Sequence, residues 1–154
     1  MAVPKPKTVV TMKLEGSCPS HSRTDVLVRD AETVIDEPVE RDGTNLGPTP
    51  TETALAALAG CTNVIANKIA KKQGIAFQSM HVAIEARFDR RGVILAEEVD
   101  VPFQEVRQVI TVTTDADEAD VGKVAADLPK YCPVSKLFRQ AGTSVTDEWI
   151  VNRP

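Results

Sequence analysis

The most reactive side chains in this 154-residue sequence are three cysteines, Cys18, Cys61 and Cys132. A thiolate is a strong nucleophile, and two neighbouring thiols can be oxidised to a disulfide and reduced again. In a reducing compartment stable structural disulfides are rare, so any bridge in this chain is expected to be transient or catalytic. Metal binding is not indicated, because there is no CxxC or HxxxH spacing and the only histidines are His21 and His81.

Cys61 lies in the middle of a predicted helix, on one side with aliphatic residues such as Leu58 and Ile65. Free cysteine is among the residues most often buried, so position alone favours a small core side chain. A thiol in such surroundings is inert unless a cation stabilises the thiolate. A chemical role for Cys61 therefore requires an arginine, lysine or protonated histidine from elsewhere in the chain.

Cys132 precedes Pro133, and proline is favoured at the first position of a helix. The sequence predicts that Cys132 is the N-cap of a helix that ends near Gln140. A cysteine there faces the positive end of the helix dipole, which is expected to lower the pKa of its thiol. Cys132 could equally be a capping residue without chemistry, and its position 71 residues after Cys61 does not by itself bring the two together.

A long helix is predicted to carry Cys61. Its start has the pattern of a capping box, with Thr49 as N-cap, Pro50 at the first helical position and Glu52 at the third. Its end is predicted near Gln73, with Gly74 as the C-cap.

Two charged residues near this helix start have two interpretations each. Glu52 is explained by the capping box alone, in which its side chain accepts from the Thr49 backbone N–H, but it could also serve a catalytic site. Arg41 follows Glu37 by four residues in a loop, where it could be a solvated surface charge or a partner for a thiolate.

The same helix has no charged residue between Thr53 and Asn67, a stretch of fifteen residues. Crossing a bilayer takes about 20 apolar residues, so a membrane span is not predicted. A helix that is apolar nearly all round is expected to be buried all round, which a chain of this size achieves poorly alone. The pattern favours an oligomer with this helix at its centre.

Alternating and helical spacings predict the remaining elements, and 42% hydrophobic content suffices for one ordinary core. The order of elements predicts an α+β fold with an antiparallel-rich sheet packed on helices, forming a single domain over residues 1–154. Strands are predicted at residues 8–14, 25–29, 33–36, 80–88, 106–113 and 144–151, and helices at 115–128, where Pro129 interrupts, and 133–140.

Charge and the N-terminal residues limit the classes of partner. The net charge is −4 and no basic run is longer than Lys71-Lys72, so nucleic acid is not an expected partner. Residues 1–7 contain no apolar segment of the kind that a secretion signal needs, so a cytoplasmic location is expected.

Two stretches of this sequence resemble the OsmC/Ohr family, which comprises osmotically inducible protein C and organic hydroperoxide resistance protein. The matching text is GTNLGPTPTETALAALAGCTNVIANKIAKKQGI, from Gly43 to Ile75, and YCPVSKLFRQAG around Cys132. The resemblance implies an intertwined homodimer in which a long central helix from each chain is wrapped by sheets from both. It also implies thiol-dependent reduction of organic hydroperoxides, with Cys61 matching the attacking cysteine and Cys132 the resolving one.

The chain departs from the peroxidase pattern at the supporting residues. Those peroxidases place a glutamate ten residues before the attacking cysteine, in an Asn-Pro-Glu context, whereas Thr51 stands there in this sequence. Glu52, nine residues before Cys61, matches instead a sub-branch with a Gly-Pro-x-Pro-x-Glu pattern. The family's arginine comes from a loop before the central helix, which Arg41 matches. Weaker candidates for this arginine are Arg23 and Arg29.

The implied mechanism needs no metal or organic cofactor. Arg41, oriented by Glu52, would stabilise a Cys61 thiolate that attacks the hydroperoxide, and the resulting sulfenic acid would condense with Cys132 before a dithiol reduces the disulfide. Nine residues of one helix separate Glu52 from Cys61 by roughly 13 Å and about half a turn, so Glu52 would act from a second chain. The alternative is a non-catalytic dimer that binds an apolar small molecule and keeps redox-sensitive or structural cysteines.

Overall fold

The computed structural model describes residues 8–154 and divides between Ala54 and Leu55 into two compact units, which are described separately below. The predicted single domain therefore stays a prediction. Residues 1–7, on which the expected lack of a secretion signal depends, lie outside the described residues.

The first unit contains a three-stranded antiparallel meander in the order β1-β2-β3. Its strands are β1 (Glu15–Ser17), β2 (Thr24–Val28) and β3 (Ala31–Ile35), followed by a short 3-10 helix (Val39–Arg41). The predicted strand at residues 8–14 is wrong, because pairing with β2 begins only at Glu15, opposite Leu27. β-branched residues favour a strand only where a neighbouring strand receives their hydrogen bonds, and here Val9 and Val10 are exposed.

Helix α1 (Pro50–Lys72) begins and ends as the sequence predicts. The Thr49 backbone N–H donates to Glu52 Oε2 at 2.8 Å, and the Glu52 backbone N–H donates to Thr49 Oγ1 at 3.3 Å. Both bonds of the capping box are therefore present. Gly74, with φ of +75°, follows the helix in the left-handed conformation that glycine adopts without strain.

A single chain buries only one face of α1, and the expectation that an oligomer buries the rest stays a prediction. Leu58, Thr62 and Ala66, four residues apart, are fully buried, whereas Ala57, Gly60 and Val64 on another side are exposed. One chain covers one face of this helix and leaves the other face uncovered. Within residues 8–154, no helix is long and apolar enough to cross a membrane.

The second unit contains a mixed three-stranded sheet in the order β4-β5-β6. Strands β4 (Ser79–Phe88) and β5 (Phe103–Thr113) pair antiparallel, and β4 shows the predicted alternation of half-buried and exposed residues. Strand β6 (Ser144–Asn152) runs parallel to β5, whereas the other three strand pairings among the described residues are antiparallel, so the predicted antiparallel-rich character is confirmed. A parallel neighbour requires a crossover connection, which here consists of helices.

That crossover contains α2 (Glu118–Tyr131) and α3 (Pro133–Gln140). The prediction that Pro129 ends the first of these helices is wrong, because α2 continues to Tyr131 and the Cys132 N–H donates to the Leu128 carbonyl at 2.9 Å. Proline removes one backbone donor but not the carbonyl acceptors that close the last turn. With its helices and two sheets, the chain has the predicted α+β class. The buried apolar residues of β5, α2 and α3 are Val106, Ile110, Val112, Val121, Val124, Leu128 and Phe138.

Candidate active site

The sulfur atoms of Cys61 and Cys132 lie 2.9 Å apart, although the residues are 71 positions apart in the chain. An S–S bond measures about 2.05 Å, so the two sulfurs are in contact but not bonded, and both cysteines are free. Cys61, on α1, is partly exposed, and Cys132, between α2 and α3, is fully buried. Cys18 is exposed, with its sulfur 3.7 Å from Thr24 Oγ1.

Cys132 is the N-cap of α3, as the sequence predicts, and its sulfur accepts from the Ser135 backbone N–H at 3.4 Å. The expected lowering of its thiol pKa is nevertheless wrong. Burial raises the pKa of Cys132 above its ordinary value, and the hydrogen bond to Cys61 raises it further. The N–H groups at the start of α3 act in the opposite direction but are outweighed. Cys132 is therefore a protonated thiol at neutral pH, and it donates to the Cys61 sulfur.

A buried polar chain begins next to Cys61. Thr62 Oγ1 donates to Gln108 Oε1 at 2.8 Å, and Gln108 Nε2 donates to Asp147 Oδ1 at 2.7 Å. Gln108 and Asp147 face each other in the register of β5 and β6, so these bonds link α1 to both strands. Thr62 and Gln108 are completely buried.

Arg139 on α3 continues the chain back to Cys132. Its Nη2 donates to Asp147 Oδ2 at 3.1 Å, its Nε to Ser135 Oγ at 3.1 Å and its Nη1 to the Val145 carbonyl at 3.0 Å. The Ser135 N–H donates to Cys132 and Cys132 donates to Cys61, so these contacts close a ring through the peptide bond between Cys61 and Thr62. We call this set the polar ring; its members are Cys61, Thr62, Gln108, Asp147, Arg139, Ser135 and Cys132.

Sequence reasoning missed the interior of the polar ring. The available signal was Gln108, which stands at a buried position of β5 between Val106 and Ile110 in an otherwise apolar alternation. A glutamine at such a position needs hydrogen-bond partners, since an unpaired buried amide is costly. The second signal was the spacing of Ser135 and Arg139, four residues apart on one face of α3.

Glu52 and Arg41 have partners within the first unit. The pKa of Glu52 is lowered chiefly by the hydrogen bond from the Thr49 backbone N–H, and the positive charge of Arg41 makes the smallest contribution. Arg41 Nε lies 2.9 Å from Glu37 Oε2, an ion pair by distance that lacks the alignment of a hydrogen bond. The structure thus assigns Glu52 to the capping box and Arg41 to an ion pair; a direct role of either at Cys61 stays a prediction.

The two weaker arginine candidates differ from each other. Arg23 donates through Nε to Asp25 Oδ1 at 2.6 Å and is held in that pair. Arg29 has a positive φ of 59° in the turn between β2 and β3.

Asp36, which sequence reasoning did not single out, organises the loop that carries Arg41. Its buried carboxylate accepts from the backbone N–H groups of Glu37, Thr44 and Leu46 and from the Thr44 hydroxyl, at 2.5 to 3.2 Å. These bonds, the one from the Thr44 hydroxyl first, lower the pKa of Asp36 despite its burial.

Glycine is required at two positions of the same loop. A Cβ on Gly43 would lie 1.8 Å from the Glu37 carbonyl oxygen, and one on Gly47 would lie 2.0 Å from the Val34 carbonyl oxygen. Among residues 8–154, no group of three or more histidine, cysteine or acidic side chains is arranged to hold a metal ion.

Comparison with known proteins places this geometry in a family. The family model described as OsmC-like protein matches residues 43–147, about two thirds of the chain. No curated protein sequence matches. Solved structures match at low identity over almost the whole chain, so they establish the fold.

Three of these structures combine low sequence identity with nearly complete coverage of both chains. An OsmC-like protein from Mycoplasma pneumoniae is 15% identical, with 94% of this chain and 97% of that chain covered and a TM-score of 0.74. An organic hydroperoxide resistance protein OsmC from Legionella pneumophila is 16% identical, with 95% and 99% covered and a TM-score of 0.62. The organic hydroperoxide resistance protein OhrB of Bacillus subtilis is 18% identical, with 92% and 98% covered and a TM-score of 0.60.

Proposed function

Because this chain belongs to the OsmC-like protein family, we propose that it is a thiol-dependent peroxidase that reduces organic hydroperoxides to alcohols. The observation that carries the proposal is the 2.9 Å contact between the sulfurs of Cys61 and Cys132. A buried thiol beside a partly exposed one is the arrangement that a resolving and an attacking cysteine need. Relatives of the same fold are named for resistance to organic hydroperoxides, which supports this reaction class.

In the proposed first step, the Cys61 thiolate attacks the distal oxygen of the hydroperoxide. The S–O bond forms as the O–O bond breaks, and the departing alkoxide takes a proton from water to leave as the alcohol. Cys61 suits this role because it is the more exposed sulfur of the pair and accepts a hydrogen bond from the Cys132 thiol.

In the second step, the Cys132 sulfur displaces the hydroxyl group of the Cys61 sulfenic acid. The disulfide forms, and the hydroxyl leaves as water with the proton of the Cys132 thiol. A small dithiol then reduces the disulfide by exchange, which returns both thiols. The raised pKa of Cys132 supports the assignment of Cys61, and not Cys132, as the attacking thiolate.

The proposal also includes the charged residues that support Cys61 and the oligomeric state of the protein. Arg41, oriented by Glu52, stabilises the Cys61 thiolate in an intertwined homodimer, in which Glu52 acts from the second chain. The uncovered face of α1, with Ala57, Gly60 and Val64 exposed, is the surface that such a dimer would cover. The alanine- and leucine-rich surroundings of Cys61 favour a substrate with an apolar tail over hydrogen peroxide, because only a tail gains from burial.

A second candidate is favoured by the contacts of Glu52 and Arg41. Both already have partners, Thr49 and Glu37, which is what a chain without peroxidase chemistry would retain. In that case the protein is a homodimer that binds an apolar small molecule, and its cysteines are structural or redox-sensitive.

Consumption of tert-butyl hydroperoxide with dithiothreitol as the reductant distinguishes the peroxidase from the non-catalytic binding protein. We expect turnover by the wild type, no turnover by Cys61→Ser, because a hydroxyl is a far weaker nucleophile at neutral pH, and unchanged turnover by Cys18→Ser, the matched control. A wild type that consumes no organic hydroperoxide with a small dithiol, or a Cys61→Ser variant that keeps its rate, excludes the peroxidase. Binding of an apolar dye by an inactive wild type would then support the second candidate.

The assembly is tested separately by light scattering at micromolar concentration. A mass of twice 16.6 kDa is expected for the proposed homodimer. A monomeric mass would contradict both the dimer and the action of Glu52 from a second chain.

A further inference from the structure

The polar ring consists of hydrogen-bonding side chains at positions that apolar side chains could also fill. Gln108 is completely buried, and the side chain of Asp147 is only 9% exposed. Buried polar groups stabilise a fold little or not at all relative to well-packed apolar residues, but their bonds have preferred distances and angles. Such a network fixes geometry more than it adds stability.

The polar ring fixes the position of the segment that carries Cys61 relative to the segment that carries Cys132. At one end, Thr62 follows Cys61 directly on α1. At the other end, the Ser135 backbone N–H donates to Cys132. Between them Gln108 and Asp147 span the two parallel strands, and Arg139 attaches α3 to Asp147, Ser135 and the Val145 carbonyl.

The sulfurs are already close to bonding distance before any bond exists. They lie 2.9 Å apart, so closing a disulfide of about 2.05 Å requires an approach of roughly 0.9 Å. This geometry therefore gives the Cys132 thiol a high effective concentration at Cys61.

We propose that Gln108, Asp147 and Arg139 are positioning residues that hold the start of α3 against α1 and so set the thiol–disulfide equilibrium of Cys61 and Cys132. The inference rests on the proposed function in assuming that these two cysteines form a disulfide. Without the ring, closing the disulfide must itself order the start of α3, which makes the disulfide less favourable. The ring thus makes the pair a stronger reductant and speeds resolution of the Cys61 sulfenic acid.

The experiment is a redox titration of the full-length protein with reduced and oxidised dithiothreitol. Oxidised dithiothreitol takes two electrons and two protons from the thiols as the protein disulfide forms, so the titration needs no peroxide chemistry. Gln108→Leu keeps the volume but leaves the Thr62 hydroxyl and one Asp147 oxygen without partners. Arg139→Lys keeps the charge but removes the guanidinium that contacts three groups at once.

We expect the equilibrium constant for disulfide formation to fall by about tenfold in Gln108→Leu and several-fold in Arg139→Lys. A tenfold change corresponds to about 30 mV for this two-electron couple. The matched controls are Arg107→Leu and Arg107→Lys, one position from Gln108 in an exposed ion pair with Glu148 across the same two strands. Both controls should leave the equilibrium constant within a factor of two of the wild type.

Melting temperatures of the reduced and oxidised forms separate positioning from stability alone. A purely structural role would lower both temperatures equally and leave the equilibrium constant unchanged, and that result would overturn the proposal. Equal shifts in the Arg107 controls would overturn it too. A wild type that forms the disulfide but consumes no peroxide would refute the peroxidase, while the titration would still decide the role of the ring. Failure of the wild type to form the disulfide would overturn the inference.

Discussion

The loop around Asp36 and the polar ring around the cysteines both bury polar groups, but they collect their partners over different spans of chain. Asp36 accepts from residues one, eight and ten positions away. The polar ring joins residues that are 39, 46 and 71 positions apart. The loop can therefore be ordered by hydrogen bonds within its own segment. The cysteine site, in contrast, forms only when α1, β5, β6 and α3 have come together.

The largest expected effect concerns Cys132. In Cys132→Ser, we expect steady-state peroxidase turnover to fall by about 100-fold or more, because the sulfenic acid at Cys61 has no thiol with which to condense. The variant should still consume about one equivalent of hydroperoxide and then give a dimedone adduct, read by mass spectrometry. Peptide mapping of the mildly oxidised wild type should show Cys61 linked to Cys132 and Cys18 free. A dominant bridge to Cys18 would remove the resolving role from Cys132.

The next prediction tests whether the loop region affects the reactivity of the cysteine site. Arg41→Ala should slow the single-turnover reaction with hydroperoxide by about tenfold, because a cation that stabilises a thiolate is lost. The melting temperature should hardly change, since the Arg41 side chain is largely exposed. Arg23→Ala and Arg29→Ala are the comparisons. If one of these slows the reaction instead, that arginine takes the role assigned to Arg41.

A smaller effect is expected on stability when the loop loses its central charge. Asp36→Asn should lower the melting temperature at pH 7 on the order of 5 °C, because an amide nitrogen then faces backbone donors. The folded-state pKa of Asp36 is lowered, so its contribution is present above its ordinary value near 4 and is lost as pH falls below it. The difference in melting temperature between variant and wild type should therefore shrink as the pH falls below about 4. Asp25→Asn, in a more exposed pair, is the control, and a difference that persists unchanged at pH 3 would contradict this account.

The smallest effect belongs to the helix start. Thr49→Ala removes the side chain that accepts from the Glu52 N–H and should cost about 1 kcal/mol, a shift of about 2–4 °C in melting temperature. Thr53→Ala is the control, because the Thr53 hydroxyl only donates to the Thr49 carbonyl within the helix. An equal loss in both variants would show that the capping box has no special role.

These two regions also show what the sequence could and could not predict. The capping box at Thr49 and Glu52 and the N-cap at Cys132 were predicted correctly, because each depends on residues within one helical turn. The pKa direction at Cys132 was predicted wrongly, because the dipole is a local property whereas burial depends on the whole fold. The Gln108–Asp147 contact could not be predicted, since it depends on parallel pairing of β5 and β6, which no local pattern specifies.

Strand β6 runs parallel to β5, so the segment between them, which includes Cys132, is a crossover that must be complete before the sheet can close. This imposes an order on biosynthesis. Cys61 leaves the ribosome 71 residues before Cys132, and Asp147 follows later still. During that interval Cys61 lacks the cysteine that its sulfur contacts in the folded chain. The contact between the two sulfurs can thus exist only in a chain whose synthesis has passed Cys132.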